Sequence, residues 1–152
     1  MKNTWALERF AAVDRKDIDG FIDMLTDDHR FHFGARPPII GKPDARAAVI
    51  HFWTMIGRLR HNIWRVRETG DVAYVEALIE YERLDGKVVL VPCCDVMVMR
   101  DGKFCEQRAY LDQGAIFAPD PAAGGHVFKN QWIDDIPTAR AALGLRPKPE
   151  IM

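Results

Sequence analysis

The sequence predicts an α+β domain in which three helices lie across one curled antiparallel sheet. Three observations lead there. Apolar residues recur at helical spacing in three stretches before Gly57, and four β-rich runs follow after Arg58. Those runs are separated by Thr69-Gly70-Asp71, Leu84-Asp85-Gly86 and Arg100-Asp101-Gly102. Asp-Gly between such runs is a strong hairpin signal, so they should pair as a meander. Several runs exceed the usual strand of about 5–6 residues. A sheet of that kind must twist and curl, with Pro92 as the expected bulge.

In chain order, Trp5, Leu7, Phe10, Ala11 and Val13 follow a cap at Asn3 or Thr4 and give a first helix to Asp14. Ile18, Phe21, Ile22 and Leu25 form the i, i+3, i+4, i+7 stripe of a second, stopped by Thr26-Asp27-Asp28. Arg30 to Phe33 reads as a short strand, and Gly34 to Gly41 as a Gly/Pro loop. Pro43 suits the first turn of a third helix running to about Gly57. That helix is apolar over more than half its circumference and is expected to be deeply buried. The strands are Asn62 to Glu68, Val72 to Arg83, Val88 to Met99 and Lys103 to Phe117. Residues 118–152 begin as a small-residue linker and form an extension, packed on the same domain or on a dimer mate through Trp132, Ile133, Ile136 and Leu143.

At 152 residues the chain suits one domain with a single core. A balance of 21 basic against 22 acidic residues gives a net charge of -1, which argues against a nucleic-acid surface. The sequence offers neither an apolar run of about 18 residues nor a charged-then-apolar leader, so no membrane partner is expected and the location expected is cytoplasmic. Cys93, Cys94 and Cys105 read as reduced thiols. No spacing of His, Cys, Asp and Glu predicts a closed metal site.

Asp95 is the residue to explain. It sits inside Cys93-Cys-Asp-Val-Met-Val-Met99, where a carboxylate either meets a donor or is desolvated and kept partly protonated. Strand alternation places Cys93, Asp95, Met97 and Met99 on one face, and Gln107, Ala109 and Leu111 opposite Arg108, Tyr110 and Asp112. His32 is the best available base because imidazole titrates near neutrality. His29 and His61 fall at element ends and are expected to be solvated, and Glu76, Glu80 and Glu82 are expected on a solvated face.

The order of elements, together with Val13-Asp14-x-x-Asp17-Ile18, Leu25-Thr-Asp-Asp28, Pro37-Pro-Ile-Ile-Gly41, Asp95-Val-Met and Asp101-Gly-Lys leading into Arg108-Ala-Tyr-Leu-Asp112, resembles the nuclear transport factor 2-like superfamily. The resemblance spans roughly Thr4 to Phe117 and points to the SnoaL-like and ketosteroid-isomerase-like branch. It implies a cone-shaped half-barrel over residues 1–117, an apolar pocket and a homodimer through the outer face of the sheet. Asp95 resembles the ketosteroid isomerase aspartic acid that stays protonated and donates to an oxyanion. The base of that enzyme would fall at Phe33 or Gly34, and its donor tyrosine near Arg9. Limonene epoxide hydrolase and the SnoaL cyclases are similar through Arg108-x-Tyr110-x-Asp112, but their next acidic residue is Ala109 here.

The expectation is therefore an acid–base enzyme working without a cofactor, an isomerase, dehydratase or cyclase for an apolar carbonyl compound. Asp95 and His32 would be the catalytic pair. Gln107, Arg9, Phe31, Phe33, Trp53 and Met97 would bind the substrate. The alternative is a non-catalytic binding or dimerisation module of the same fold.

Overall fold

A computed structural model describes residues 4–145. Helix α1 (Thr4–Asp14) and helix α2 (Ile18–Asp23) lead into strand β1 (Leu25–Phe33), and the short strand β2 (Ile39–Ile40) precedes helix α3 (Lys42–Thr54). Strands β3 (Ile56–Thr69), β4 (Val72–Arg83), β5 (Val88–Arg100) and β6 (Lys103–Leu111) form the meander. Helix α4 (Gly114–Phe117), strand β7 (Phe128–Lys129) and helix α5 (Ile136–Ala142) complete the described chain. The sheet order is β2-β1-β6-β5-β4-β3, with β7 added beside β5. Neighbours are antiparallel except β1 and β6, which run parallel because α3 and the meander intervene.

The hairpins follow the chemistry of their turns. Arg100 pairs with Lys103, and Asp101 (φ 52°) and Gly102 (φ 77°) both take positive φ, as a two-residue turn matched to strand twist requires. The curl comes from register shifts between Ile56 and Leu59, between Ile63 and Arg65, and between Val98 and Met99. Pro92 is not the bulge: it stays in register with Leu78. Pairing with β6 ends at Cys93, so the amide hydrogen that Pro92 lacks is not needed there.

β6 stops at Leu111 rather than Phe117, with α4 following, and two other strands start early. β1 starts at Leu25 rather than Arg30, and β3 starts at Ile56, where the sequence suggests the end of a helix. In both places the β ladder outcompetes local helical preference. The long helix is less buried than its composition suggests. Only Ala45 of α3 is fully buried, and Ile50 is 43% exposed. Ala48, Val49, Phe52 and Trp53 of α3 line a hollow, with Val49, Phe52 and Trp53 packed against its apolar walls. One core cluster joins Phe10, Phe21, Leu25, Val66, Met97 and Phe104. The other joins Leu59, Ile79, Tyr81, Val91 and Ala109, and the hollow touches both.

In the described part of the extension, the stretch from β7 toward α5 covers the outer face of the sheet. β7 pairs Lys129 with Val88, and Arg60 donates to the carbonyls of Asp134 (2.6 Å) and Ile133 (2.9 Å). Under this cover Glu80 is 3% exposed, so it does not belong to a solvated face. Its carboxylate takes Arg60 at 2.5 Å, Lys129 at 2.7 Å and Asn62 at 3.2 Å. Tyr74 and Tyr110 stay exposed on the sheet. Among the described residues no helix is long and apolar enough to cross a membrane.

Candidate active site

The concave face, α1, α2 and α3 enclose a cavity of about 200 Å³. Most of its wall is apolar, with Phe10, Phe31, Phe33, Phe52 and Trp53 prominent. The size is below the roughly 300–1,000 Å³ typical of pockets for drug-sized ligands, so a molecule of one or two rings is the appropriate scale. Arg36 and His51 line the cavity and are exposed, which puts them at its opening.

Asp95 lies on the floor, 2% exposed. Its neighbours across the ladders are Val75 and Ala109, so the strands offer it no polar partner directly opposite. Partners come from diagonal and same-face positions instead. Gln107 Nε2 donates to Asp95 Oδ1 at 2.6 Å, and the Cys93 thiol donates to Oδ2 at 3.3 Å. Arg9 Nε donates to Gln107 Oε1 at 2.7 Å. A guanidinium only donates, so Arg9 fixes the amide with its oxygen inward and its NH2 toward Asp95. Burial pushes the Asp95 carboxyl up, more than Gln107, His61, Cys93 and Arg9 together pull it down. Burial and Asp95 likewise push the Cys93 thiol up, so it remains a neutral donor. Both side chains bonded to Asp95 donate to it, and a proton held on Asp95 therefore remains available to a molecule in the cavity.

A second polar group faces the same space. His61 lies on the inward side of β3, opposite Ile79. Asp14, the last residue of α1, grips it twice: Oδ2 accepts the His61 backbone N–H at 3.0 Å, and Oδ1 meets ring Nδ1 at 2.5 Å. A carboxylate accepts, so Nδ1 carries a proton, and in the neutral ring the lone pair then lies on Nε2. The Phe10 ring packs at 4.8 Å from the imidazole and fixes its tilt. Tyr81, one residue pair along β4, adds a phenol that burial, Cys93, Asp95 and Asp14 all keep protonated.

The structure thus brings together Asp95, Gln107, Arg9, Phe31, Phe33 and Trp53 from the sequence reading. Two of its residues fall elsewhere. His32 pairs with Arg108, on the side of β1 opposite Phe31 and Phe33, and does not line the cavity. It is out of reach of the cavity, and the histidines that line the cavity are His51 and His61. Met97 is 0% exposed and packs in the core farther along the same face of β5 as Asp95. His29 is fully buried rather than solvated, neither ring nitrogen has a partner among the described residues, and burial followed by the Arg9 charge lowers it to about 3, so it stays neutral. Among the described residues no group of three or more His, Cys, Asp or Glu could hold a metal ion.

The SnoaL-like domain family matches residues 6–107. The chain belongs to that family. Its fold is shared with a nuclear transport factor 2-like protein of unknown function from Burkholderia pseudomallei, at TM-score 0.70 and 18% identity over 76% of this chain and 96% of that one. A SnoaL-like protein from Jannaschia, named as a candidate polyketide cyclase, aligns at TM-score 0.64 and 22% identity over 77% and 94%. An epoxide hydrolase of the limonene type from M. tuberculosis aligns at TM-score 0.64 and 20% identity over 75% and 87%. At such identities the likeness concerns the nuclear transport factor 2-like fold. No curated protein matches this SnoaL-like chain.

One consequence concerns stability. The folded-state pKa of Asp95 lies above its ordinary value of 3.8, so the folded chain holds this proton more tightly than the unfolded chain. The contribution is fully favourable below pH 3.8 and is lost as pH rises through the folded value. Asp95→Asn keeps the shape and removes the titration. Its melting temperature should exceed that of wild type at pH 7, and the gap should close as pH is lowered toward 4, followed by scanning calorimetry across that range.

Proposed function

We propose that this SnoaL-like chain is an acid–base enzyme that moves a proton next to the carbonyl group of an apolar one- or two-ring compound, as an isomerase, dehydratase or cyclase does. The observation that carries the reading is the pairing of opposite roles on one cavity. His61, oriented by Asp14, faces the cavity, and Asp95, desolvated on its floor, is held toward its neutral form, both of its bonded neighbours donating to it. Carbonyl chemistry near neutrality needs this combination. His61 Nε2 removes the proton from the carbon beside the carbonyl. The C–H electron pair becomes the C=C of an enol, and Asp95 hydrogen-bonds or protonates the oxygen as charge develops there. Where a C=C adjoins that carbon, return of the proton from His61 to the far carbon of the resulting dienol isomerises the compound. Where the next carbon bears a hydroxyl, collapse of the enol expels it as water with the proton from His61, and any proton on the carbonyl oxygen goes back to Asp95. Gln107 and Arg9 hold Asp95 in place, while the aromatic wall keeps water from the enol.

The test needs no knowledge of the natural substrate. In deuterated buffer, 2-tetralone, an apolar two-ring ketone, exchanges its acidic ring hydrogens at a rate proton NMR can follow. The protein should accelerate this exchange beyond an equal concentration of free imidazole. Exchange at the imidazole rate for 2-tetralone and for smaller ring ketones would leave a binding module as the better account.

A further inference from the structure

Arg9 carries more charge than the chemistry above requires. Its side chain projects from α1 into the interior, where it is 1% exposed, and its guanidinium packs 3.9 Å from the centre of the Phe21 ring and 5.2 Å from that of Phe104. Among the described residues its hydrogen-bond partner is the neutral Gln107 amide, reached through Nε, and Nη1 is buried with none. Among the described residues no carboxylate lies within ion-pair distance of it. The nearest acid is Asp95, reached only through Gln107 and itself held toward its neutral form. Burial lowers Arg9 to about 9, so it remains charged at neutral pH.

A buried cation without a counter-ion is costly, and a neutral Gln side chain does not offset it. Gln107 could be satisfied equally by a neutral donor, so the amide alone does not explain a guanidinium here. The remaining place for an anion is the cavity, which Arg9 lines. The opening points the same way, because its two exposed ionisable side chains, Arg36 and His51, are a cation and a potential cation.

We propose that the cavity selects compounds that are already anionic when they enter: flat one- or two-ring molecules whose delocalised oxyanion, a carboxylate or an ionised enol, is held by Arg9. This deepens the function proposed above and rests on it in one respect, that the cavity is the ligand site. The guanidinium is planar and its N–H groups form a fork that matches a delocalised oxyanion in the same plane. Phe31, Phe33, Phe52 and Trp53 supply flat apolar surface for the ring system. A carbonyl conjugated to such an anion would then extend toward Asp95 and His61.

Calorimetric titration at neutral pH tests this with two acids and their neutral isosteres. The pairs are 2-naphthoate against 2-naphthamide, and 4-hydroxycoumarin, an acidic enol, against 4-methoxycoumarin. Wild-type protein should bind at least one acid about tenfold or more tightly than its isostere, the scale of a hydrogen bond to a charged group. The pair with the larger ratio identifies which oxyanion the site prefers. Arg9→Gln should bring the ratio of acid to isostere affinity to within about twofold of unity. If that variant fails to fold, the wild-type ratios decide alone. Isosteres that bind wild type as tightly as the acids overturn the proposal, as does failure of both acids to bind at millimolar concentration. Acid preference without tetralone exchange would sink the catalytic reading and keep this one, and exchange without acid preference would do the reverse.

Discussion

His61→Gln is expected to lower the exchange of 2-tetralone by about 10²–10⁴-fold, the usual contribution of a positioned general base. The reason lies in what surrounds the ring. Asp14 Oδ1 accepts from Nδ1 at 2.5 Å and so fixes both the tautomer and the direction of Nε2. Glutamine fills similar space but has no lone pair of comparable basicity, so the cavity should keep its shape and lose its base. Little change in melting temperature is expected, because the backbone N–H of residue 61 still reaches Asp14 Oδ2. Asp14→Asn should produce a smaller loss, because an amide has only one oxygen to serve the two donors that the carboxylate now satisfies. Nitrogen NMR of the imidazole gives a readout separate from rate. In wild type the proton should reside on Nδ1, and in Asp14→Asn the two tautomers should mix. Exchange that survives His61→Gln unchanged would remove His61 from the mechanism.

Asp95 was legible because a carboxylate inside an apolar run marks itself, and Gln107 because alternation along its own strand groups it with Ala109 and Leu111. The pairing between the two strands was not legible: counting from the Asp101-Gly102 turn puts Asp95 opposite Arg108, and the register shift between Val98 and Met99 moves it opposite Ala109 and brings Gln107 to the diagonal. His61 carried no such mark. Its neighbours Arg58, Arg60 and Asn62 look like the polar end of a helix, yet β3 starts at Ile56, which places His61 well inside a strand and on its inward face. Its partner Asp14 is 47 residues away, and only the folded sheet brings α1 against β3. A signal was present all the same: Asp14 belongs to the Val13-Asp14-x-x-Asp17 pattern and has no role in capping its own helix. The phase of β1 decided against His32. Phe31 and Phe33 take the apolar face of the strand, and one residue of offset carries the histidine to the other side. The cavity under α3 was illegible for another reason, since a helix that is apolar all round reads the same whether its inner face meets atoms or a hollow.

Glu80→Gln should destabilise the fold by about 3–5 kcal/mol, the range found when one partner of a buried ion pair is removed. For a chain of this size that corresponds to a fall in melting temperature on the order of 10 °C. Alternation predicted a solvated glutamate, and alternation is right about the face. The extension changes the environment of that face: Lys129 on β7 and the carbonyls of Ile133 and Asp134, held by Arg60, close over it. Arg140 on α5 is buried nearby over Trp64, at 5.6 Å, with none of its guanidinium nitrogens paired among the described residues. Removing the Glu80 charge therefore leaves Arg60, Lys129 and Arg140 facing one another in a place water does not reach. Burial pushes the Glu80 carboxyl up, but the hydrogen bonds from Arg60, Lys129 and Asn62 outweigh it and hold the group below its ordinary 4.5. The stability it contributes is accordingly present above pH 4.5 and lost as pH falls through the folded value, so wild type and variant should converge in acid. Glu76→Gln is the matched control, because its ion pair with Arg65 at 3.0 Å is more than 40% exposed on both sides. That substitution should cost at most about 1 kcal/mol. Equal shifts for the two variants at pH 7 would mean that the extension does not exclude water from Glu80 in solution.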